Sequence, residues 1–416
     1  MKHILLSGLL LVCCLSCKQG EVEYVDFDDY DVPGGVPSFC ITKTEETDVL
    51  LEDGSLNPDI ALPISEIAAG GTPNRIAATT AANLLSDLFG NVYSNRVVQV
   101  AGTYTGHDIN GEPLVQSGKL IFPKKGKIKN LLIVSHYTIG ANRECPSEVF
   151  PLEGLFATKG YAVLLADYIG YGVTAHRIHP YLHVESTARS VIDFALAVRP
   201  YLKHIGREPA DERVILLGYS QGGAATLGVM RAMESEYSDL FSIKKVYAGA
   251  GPYDLTATFD YSMSIDRTGI PCAIPMIVQG ISEGEQLKLN MEDFFLPQLL
   301  NNYDYWINSK LFSVREMNEM INVHRLSEIM TAEGRNKESS QTARLYRALM
   351  RNSILNFKPQ APLWLFHSRQ DDTVPFINSE KAEEKFKGQN INFDFGNYGD
   401  HTQGFLNFFK KVGKDL

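Results

Sequence analysis

The sequence predicts an α/β fold, a mostly parallel central sheet flanked by helices, with a helical cap inserted before the late sheet strands. Three observations carry this expectation. From residue 130 onward, short apolar runs alternate with amphipathic helical stretches, the signature of strands covered on both faces. Two earlier runs, Val97 to Val100 and Lys119 to Phe122, flank the turn pair Asn110-Gly111 and read as antiparallel strands. Leu216 to Gly223 reads as the end of a buried strand running into a sharp turn and then a helix.

The length of 416 residues and an apolar content of 44% allow one large domain with insertions, or two modest ones. A formal net charge of −10 argues against nucleic acid as a partner, and against an electrostatic grip on anionic lipid. Residues 1–16 read as a signal sequence: Lys2 and His3 precede the apolar run Ile4 to Leu15, which is too short to span a bilayer. Leu15-Ser16-Cys17 resembles a bacterial lipoprotein cleavage box, which makes Cys17 the lipid attachment site and the membrane a partner through that anchor. The competing reading is an ordinary secretory signal. Either way the chain is expected outside the cytoplasm. The lipoprotein reading places it at the bacterial cell envelope, on the outer membrane and open to surface export.

Residues 17–35 are acidic and read as a solvated tether. Residues 36–95 are read as an N-terminal segment packing on the core, with an amphipathic helix over 76–89. The core is expected over 96–255 and 359–416. Its strands fall at 130–136, 161–167, 213–218, 244–249, 362–367 and 391–395, with a closing helix over 404–412. The insertion at 256–358 is helical in pattern and holds seven of the ten methionines together with several aromatics. Such a surface can cover an acyl-binding cleft, although most of these side chains are expected to pack the insertion itself. Cys40, Cys145 and Cys272 remain after processing at Cys17, which leaves open either one disulfide or three buried thiols.

The chemistry centres on Gly218-Tyr219-Ser220-Gln221-Gly222. A serine at the tip of a strand-to-helix turn is exposed at the end of the sheet, and glycines flank it because the turn leaves no room for side chains. The hydroxyl needs a base, and the base needs an acid to orient it. An acid after a late strand and a histidine near the C-terminus complete the order. Asp371 follows strand 362–367 within Asp371-Asp372-Thr373-Val374-Pro375 and is the chosen acid, with Asp372 the alternative. His401 follows the last strand and is the base. All three loops leave the C-terminal edge of the sheet, where open α/β sheets bind ligands. For the oxyanion of acyl transfer, the N–H of Gln221 is one expected donor. The second is expected from the loop after strand 130–136, with Thr138 favoured over Tyr137.

Several further stretches complete a pattern: Tyr104 to Gly118, Ala166 to Gly172 (Ala-Asp-Tyr-Ile-Gly-Tyr-Gly), His179-Pro180-Tyr181-Leu182 and Asp400 to Gly404. With the elbow they resemble the secretory lipase family of α/β-hydrolases, over about residues 96 to 416. The resemblance implies an α/β-hydrolase fold, a serine triad, a helical cap, and a small-molecule or lipid ester as substrate, with neither metal nor organic cofactor. Two positions depart from the family pattern: Tyr137 stands where Gly is usual, and Tyr219 where His is usual. Both narrow the oxyanion side and bear on substrate class. His176, His179, His183 and Glu185 also form a metal-like cluster, but Pro180 interrupts any helix that would align them. Two rivals remain: the same triad acting on acetyl or feruloyl esters of polysaccharide or on a peptide bond, and a hydrolase-fold lipoprotein that binds without turnover.

Overall fold

The structure, a computed structural model, describes residues 38–52, 57, 60 and 95–416. The signal sequence, Cys17, the tether and the helix expected over 76–89 lie outside the described residues. Nine strands form one sheet in the order β1-β2-β3-β5-β4-β6-β7-β8-β9. They are β1 (Phe39–Asp48), β2 (Arg96–His107), β3 (Pro113–Pro123), β4 (Leu131–Ser135), β5 (Ala162–Ala166), β6 (Val214–Tyr219), β7 (Ile243–Gly249), β8 (Leu363–Ser368) and β9 (Ile391–Gly396). β1, β2 and β3 pair antiparallel, β3 joins β5 antiparallel, and β5 through β9 run parallel. The β2–β3 hairpin turns where Asn110-Gly111 is expected, with Gly111 at φ 80°.

The central strands sort their side chains by the two-residue period of a pleated sheet. Leu131 and Ile133 of β4 and Val214 and Leu216 of β6 face one apolar layer. That layer is completed by helices α1 (Val184–His204) and α2 (Gln221–Ser235). Leu132 and Val134, with Ile215 and Leu217, face the other layer, built on residues 152–159 and on the C-terminal helix. This double burial is why these strands read as unbroken apolar runs.

β1 is the element that the sequence reading does not resolve. Its first two residues are buried, while the rest, Thr-Lys-Thr-Glu-Glu-Thr-Asp after Ile41, runs polar along the sheet edge. Its strand character comes from the ladder to β2, from Phe39 opposite Tyr104 to Asp48 opposite Arg96.

Between β7 and β8 the chain leaves the sheet and forms helices α3 (Leu255–Ile265), α4 (Ala273–Gly284), α5 (Pro297–Leu300), α6 (Val314–Ile321) and α7 (Ser340–Asn352). These elements share their own apolar cluster, in which Phe294, Phe295, Met317 and Met330 are fully buried. Two helices complete the described chain: α8 (Ile377–Phe386) and α9 (His401–Asp415). Among the described residues no helix is long and apolar enough to cross a membrane. Cys40, Cys145 and Cys272 are buried and form no disulfide with one another.

Candidate active site

Ser220 is the hinge between β6 and α2. Its backbone sits at φ 59°, ψ −127°, a conformation that side chains other than glycine rarely adopt. The strain is held by packing too close for side chains. A Cβ on Gly218 would lie 2.2 Å from the carbonyl oxygen of Gly222, and one on Gly222 would lie 2.0 Å from that of Ser135. The Ser220 N–H donates to the Gly249 carbonyl at 2.9 Å, which ties the turn to β7.

The three residues named as nucleophile, base and acid meet at this turn. His401 Nε2 lies 2.9 Å from Ser220 Oγ, and His401 Nδ1 lies 2.6 Å from Asp371 Oδ2. The Asp371 side chain is fully buried, and its Oδ1 accepts the N–H groups of Thr373 at 2.9 Å and Val374 at 2.8 Å. Burial by itself would raise the Asp371 pKa. Hydrogen bonds from His367 and His401 outweigh it, and hold the carboxyl well below the usual range. Asp372 contacts the base through its backbone only, accepting the His401 N–H at 3.3 Å, so the imidazole is addressed by Asp371.

His401 is the first residue of α9, whose N-cap Asp400 accepts the Gln403 N–H at 2.8 Å. Ser368, at the end of β8, bonds across to the histidine loop. Its hydroxyl donates to the Gly399 carbonyl at 2.5 Å and accepts from the Tyr398 N–H at 3.1 Å.

Three supporting side chains are not legible from motif spacing alone. Tyr219, read only as a departure from a family pattern, donates its hydroxyl to the His401 carbonyl at 2.9 Å. His179 turns its Nδ1 to the Ile169 carbonyl at 2.6 Å and its Nε2 to the Gln221 side-chain Nε2 at 3.1 Å. The amide of Gln221 can only donate there, so Nδ1 carries the proton and the ring is neutral. Burial, reinforced by the charge of Lys310, pushes the His179 pKa down to about 3. His183 turns its Nδ1 to Ser186 Oγ at 2.9 Å, and its ring is also kept from charging by burial. The third side chain, His367, lies on the far side of Asp371, with Nε2 3.2 Å from Oδ2.

Gln221 opens α2, so its N–H is among the first-turn donors that have no carbonyl within the helix. Thr138 lies on the loop after β4, with its hydroxyl 2.7 Å from that of Tyr181. The Tyr137 ring turns onto Phe405 of α9, with centroids 5.5 Å apart in an edge-on arrangement. His136 stacks on Tyr168 at 3.8 Å, and burial lowers its pKa to about 4.

A family model described as secretory lipase matches residues 148–407, a span that takes in the Ser220, Asp371 and His401 positions. Among solved structures, the chain is similar to the rice cell wall degrading esterase LipA from Xanthomonas oryzae. The two are 23% identical with a TM-score of 0.71, over 90% of this chain and 97% of that one. It is also similar to Candida antarctica lipase A, at 18% identity and a TM-score of 0.56, over 73% of each chain. No curated protein matches the sequence. At these identities the solved structures speak to the fold, which is that of the α/β-hydrolases.

Proposed function

The chain belongs to the secretory lipase family, and on that premise we propose that it is a serine hydrolase of carboxylic esters. The observation that carries the reading is the continuous path Ser220 Oγ, His401 Nε2, His401 Nδ1, Asp371 Oδ2, with separations of 2.9 and 2.6 Å. Ser220 attacks the ester carbonyl while His401 removes its proton. Asp371, an acceptor that stays ionised, fixes the Nδ1–H tautomer and stabilises the imidazolium. The oxyanion is received by the N–H groups of Gln221 and Thr138. His401 returns the proton to the leaving alcohol, and water then releases the acyl group by the same route.

The helical segment over 256–358 acts as the cap over the site, and residues 96–255 and 359–416 as the catalytic core. Cys17 carries the lipid that anchors the enzyme at the bacterial envelope. Its test is metabolic labelling with a fatty acid, with Cys17→Ser as the unlabelled control.

A second substrate reading keeps the triad and moves it to esters of plant or microbial polysaccharide. It is favoured by the polar side chains at the seam between core and cap, and by the esterase LipA, described as rice cell wall degrading.

The test is hydrolysis of 4-nitrophenyl esters from acetate to palmitate by the protein lacking residues 1–20, beside Ser220→Ala. Activity that vanishes in the variant supports the scheme. Absence of both turnover and fluorophosphonate labelling at Ser220 would overturn it.

A further inference from the structure

Lys310 combines two unfavourable features at one position. Its backbone is left-handed, at φ 58°, without being glycine. Its side chain is buried, at 8% exposure. The ammonium lies 5.1 Å over the ring of Tyr171 and, among the described residues, meets no oxygen or nitrogen acceptor. Burial lowers its pKa to about 8, which leaves it mostly charged at neutral pH. A buried charge without a hydrogen-bonded counterpart is costly. A cation–π contact returns only part of that cost. Strained backbone and uncompensated charge recur at sites that a ligand completes.

The position of Lys310 is fixed from both sides of the seam. Its carbonyl accepts the Asn142 N–H at 2.8 Å, which pins this cap loop to the loop after β4. A Cβ on Gly140 would strike Phe312 and Ser313, so the two loops pack backbone against backbone. The side chain enters a cavity of about 10 Å³ that Tyr171, His179 and Tyr181 line from the core and Met276, Gln279 and Met317 from the cap. The cavity holds one water-sized group.

Two of those walls touch the candidate oxyanion residues. His179 holds the Gln221 side chain, and Tyr181 holds the Thr138 hydroxyl. The cavity is therefore one side chain removed from Gln221 and from Thr138. No acidic side chain lines it. The nearby Glu144 turns its carboxylate to the N–H groups of Gly140 and Ala141, at 3.0 and 2.9 Å.

We infer that Lys310 is a specificity-determining residue and that the cavity receives a carboxylate, so that the preferred esters carry an acid group on one arm. The inference rests on the ester-hydrolase reading for its site and extends it to a substrate class. A carboxylate fits better than a hydroxyl because only an opposite charge offsets the buried ammonium. One carboxylate oxygen takes the place of the single water-sized group beside the Lys310 ammonium. A purely fatty acyl chain would leave the cation unmatched.

The experiment compares wild type with Lys310→Met and Lys310→Gln on esters matched in length: 4-nitrophenyl octanoate and mono-4-nitrophenyl octanedioate. A third ester, 4-carboxyphenyl octanoate, moves the acid to the alcohol arm. For one of the two anionic esters, the ratio of its kcat/KM to that of neutral octanoate is expected to fall at least tenfold in both variants. The arm that responds identifies the source of the carboxylate. Equal ratios in all three proteins would overturn the inference and leave water as the occupant.

Binding supplies a readout independent of turnover. Calorimetry of monoethyl octanedioate and of ethyl 4-(octanoyloxy)benzoate's free acid on Ser220→Ala, and on the same protein with Lys310→Met, should show at least tenfold tighter binding where Lys310 is present. Lys310-dependent binding without hydrolysis in wild type would retire the hydrolase reading and keep this one. Hydrolysis of neutral octanoate without any Lys310 dependence would do the reverse.

Discussion

His367 and His401 share one oxygen of Asp371: the Nε2 of His367 lies 3.2 Å from the same Oδ2 that His401 Nδ1 approaches at 2.6 Å. The His367 ring is fully buried, and its Nδ1 lies 2.7 Å from Ser379 Oγ. An ionised carboxylate only accepts, so Nε2 carries a proton and Nδ1 accepts from the Ser379 hydroxyl. His367 thereby fixes the acid as the acid fixes the base. Replacement by leucine is expected to lower kcat about tenfold through the loss of one charge-assisted hydrogen bond, with KM little changed. His367→Gln, which keeps a side-chain N–H, should recover part of the loss. Steady-state kinetics on the two variants check this. A change confined to KM would contradict the positioning role.

The neighbouring aspartates should separate cleanly. Asp371→Asn replaces the acceptor for Nδ1–H and favours the wrong tautomer, with an expected loss of about 10⁴ in kcat. Of His401, Asp372 touches only the backbone N–H, at 3.3 Å, and the same oxygen takes the Thr373 hydroxyl. Asp372→Asn should stay within about threefold of wild type, since a lone exposed contact of this kind contributes under 1 kcal/mol. Comparable losses in both variants would mean that the acid has been misassigned.

Glu153 gives a pH-dependent stability with a definite sign. Its side chain is buried, and burial raises its pKa to about 7. In the unfolded chain a glutamate titrates near 4.3. Below about pH 4 both states are protonated and the residue is neutral to stability. As pH rises towards 7 the unfolded state gains by ionising while the folded state does not, and the protein loses about 3 kcal/mol. Glu153→Gln should therefore match wild type near pH 4 and exceed it by roughly that amount at pH 8. Denaturant melts at the two pH values decide it.

Gly222→Ala should be among the most damaging single-methyl additions to the chain. Its Cβ would meet the Ser135 carbonyl at 2.0 Å and that of His136 at 2.8 Å, both backbone atoms that cannot swing aside. Overpacking of this kind costs about 1–3 kcal/mol and more where backbone must move. Loss of Tm together with loss of fluorophosphonate labelling is expected. A variant with wild-type Tm would show that the elbow is looser than its contacts imply.

What the sequence discloses depends on where each signal is stored. β4 to β8 are legible because burial on both faces leaves continuous apolar runs, and Ser220, Asp371 and His401 because chain order and loop setting are linear features. β1 is not: an edge strand with a polar face owes its conformation to a partner far along the chain, as between Asp48 and Arg96 or between Phe39 and Tyr104. His367, Tyr219 and the His179–Gln221 contact escaped for the same reason, since each acts by touching a residue brought close only by folding. A histidine four positions before a candidate acid at a strand end is the one local cue that could have pointed to His367. Lys310 has no local cue, because in the sequence a buried lysine and a solvated one are the same letter.

The edge position of β1 has a mechanical meaning. Any load applied to the chain ahead of residue 38 enters the domain at the outermost strand. The sheet order puts five strand-to-strand steps between it and β6, a distance of about 24 Å. Force is thus spread along a ten-residue ladder before it reaches the turn that holds Ser220. A pull on that end of the chain would shear β1 along β2 and leave Ser220, His401 and Asp371 in register. Under the anchor proposed at Cys17, dragging or jostling at a surface would be absorbed at that edge and not at the catalytic turn.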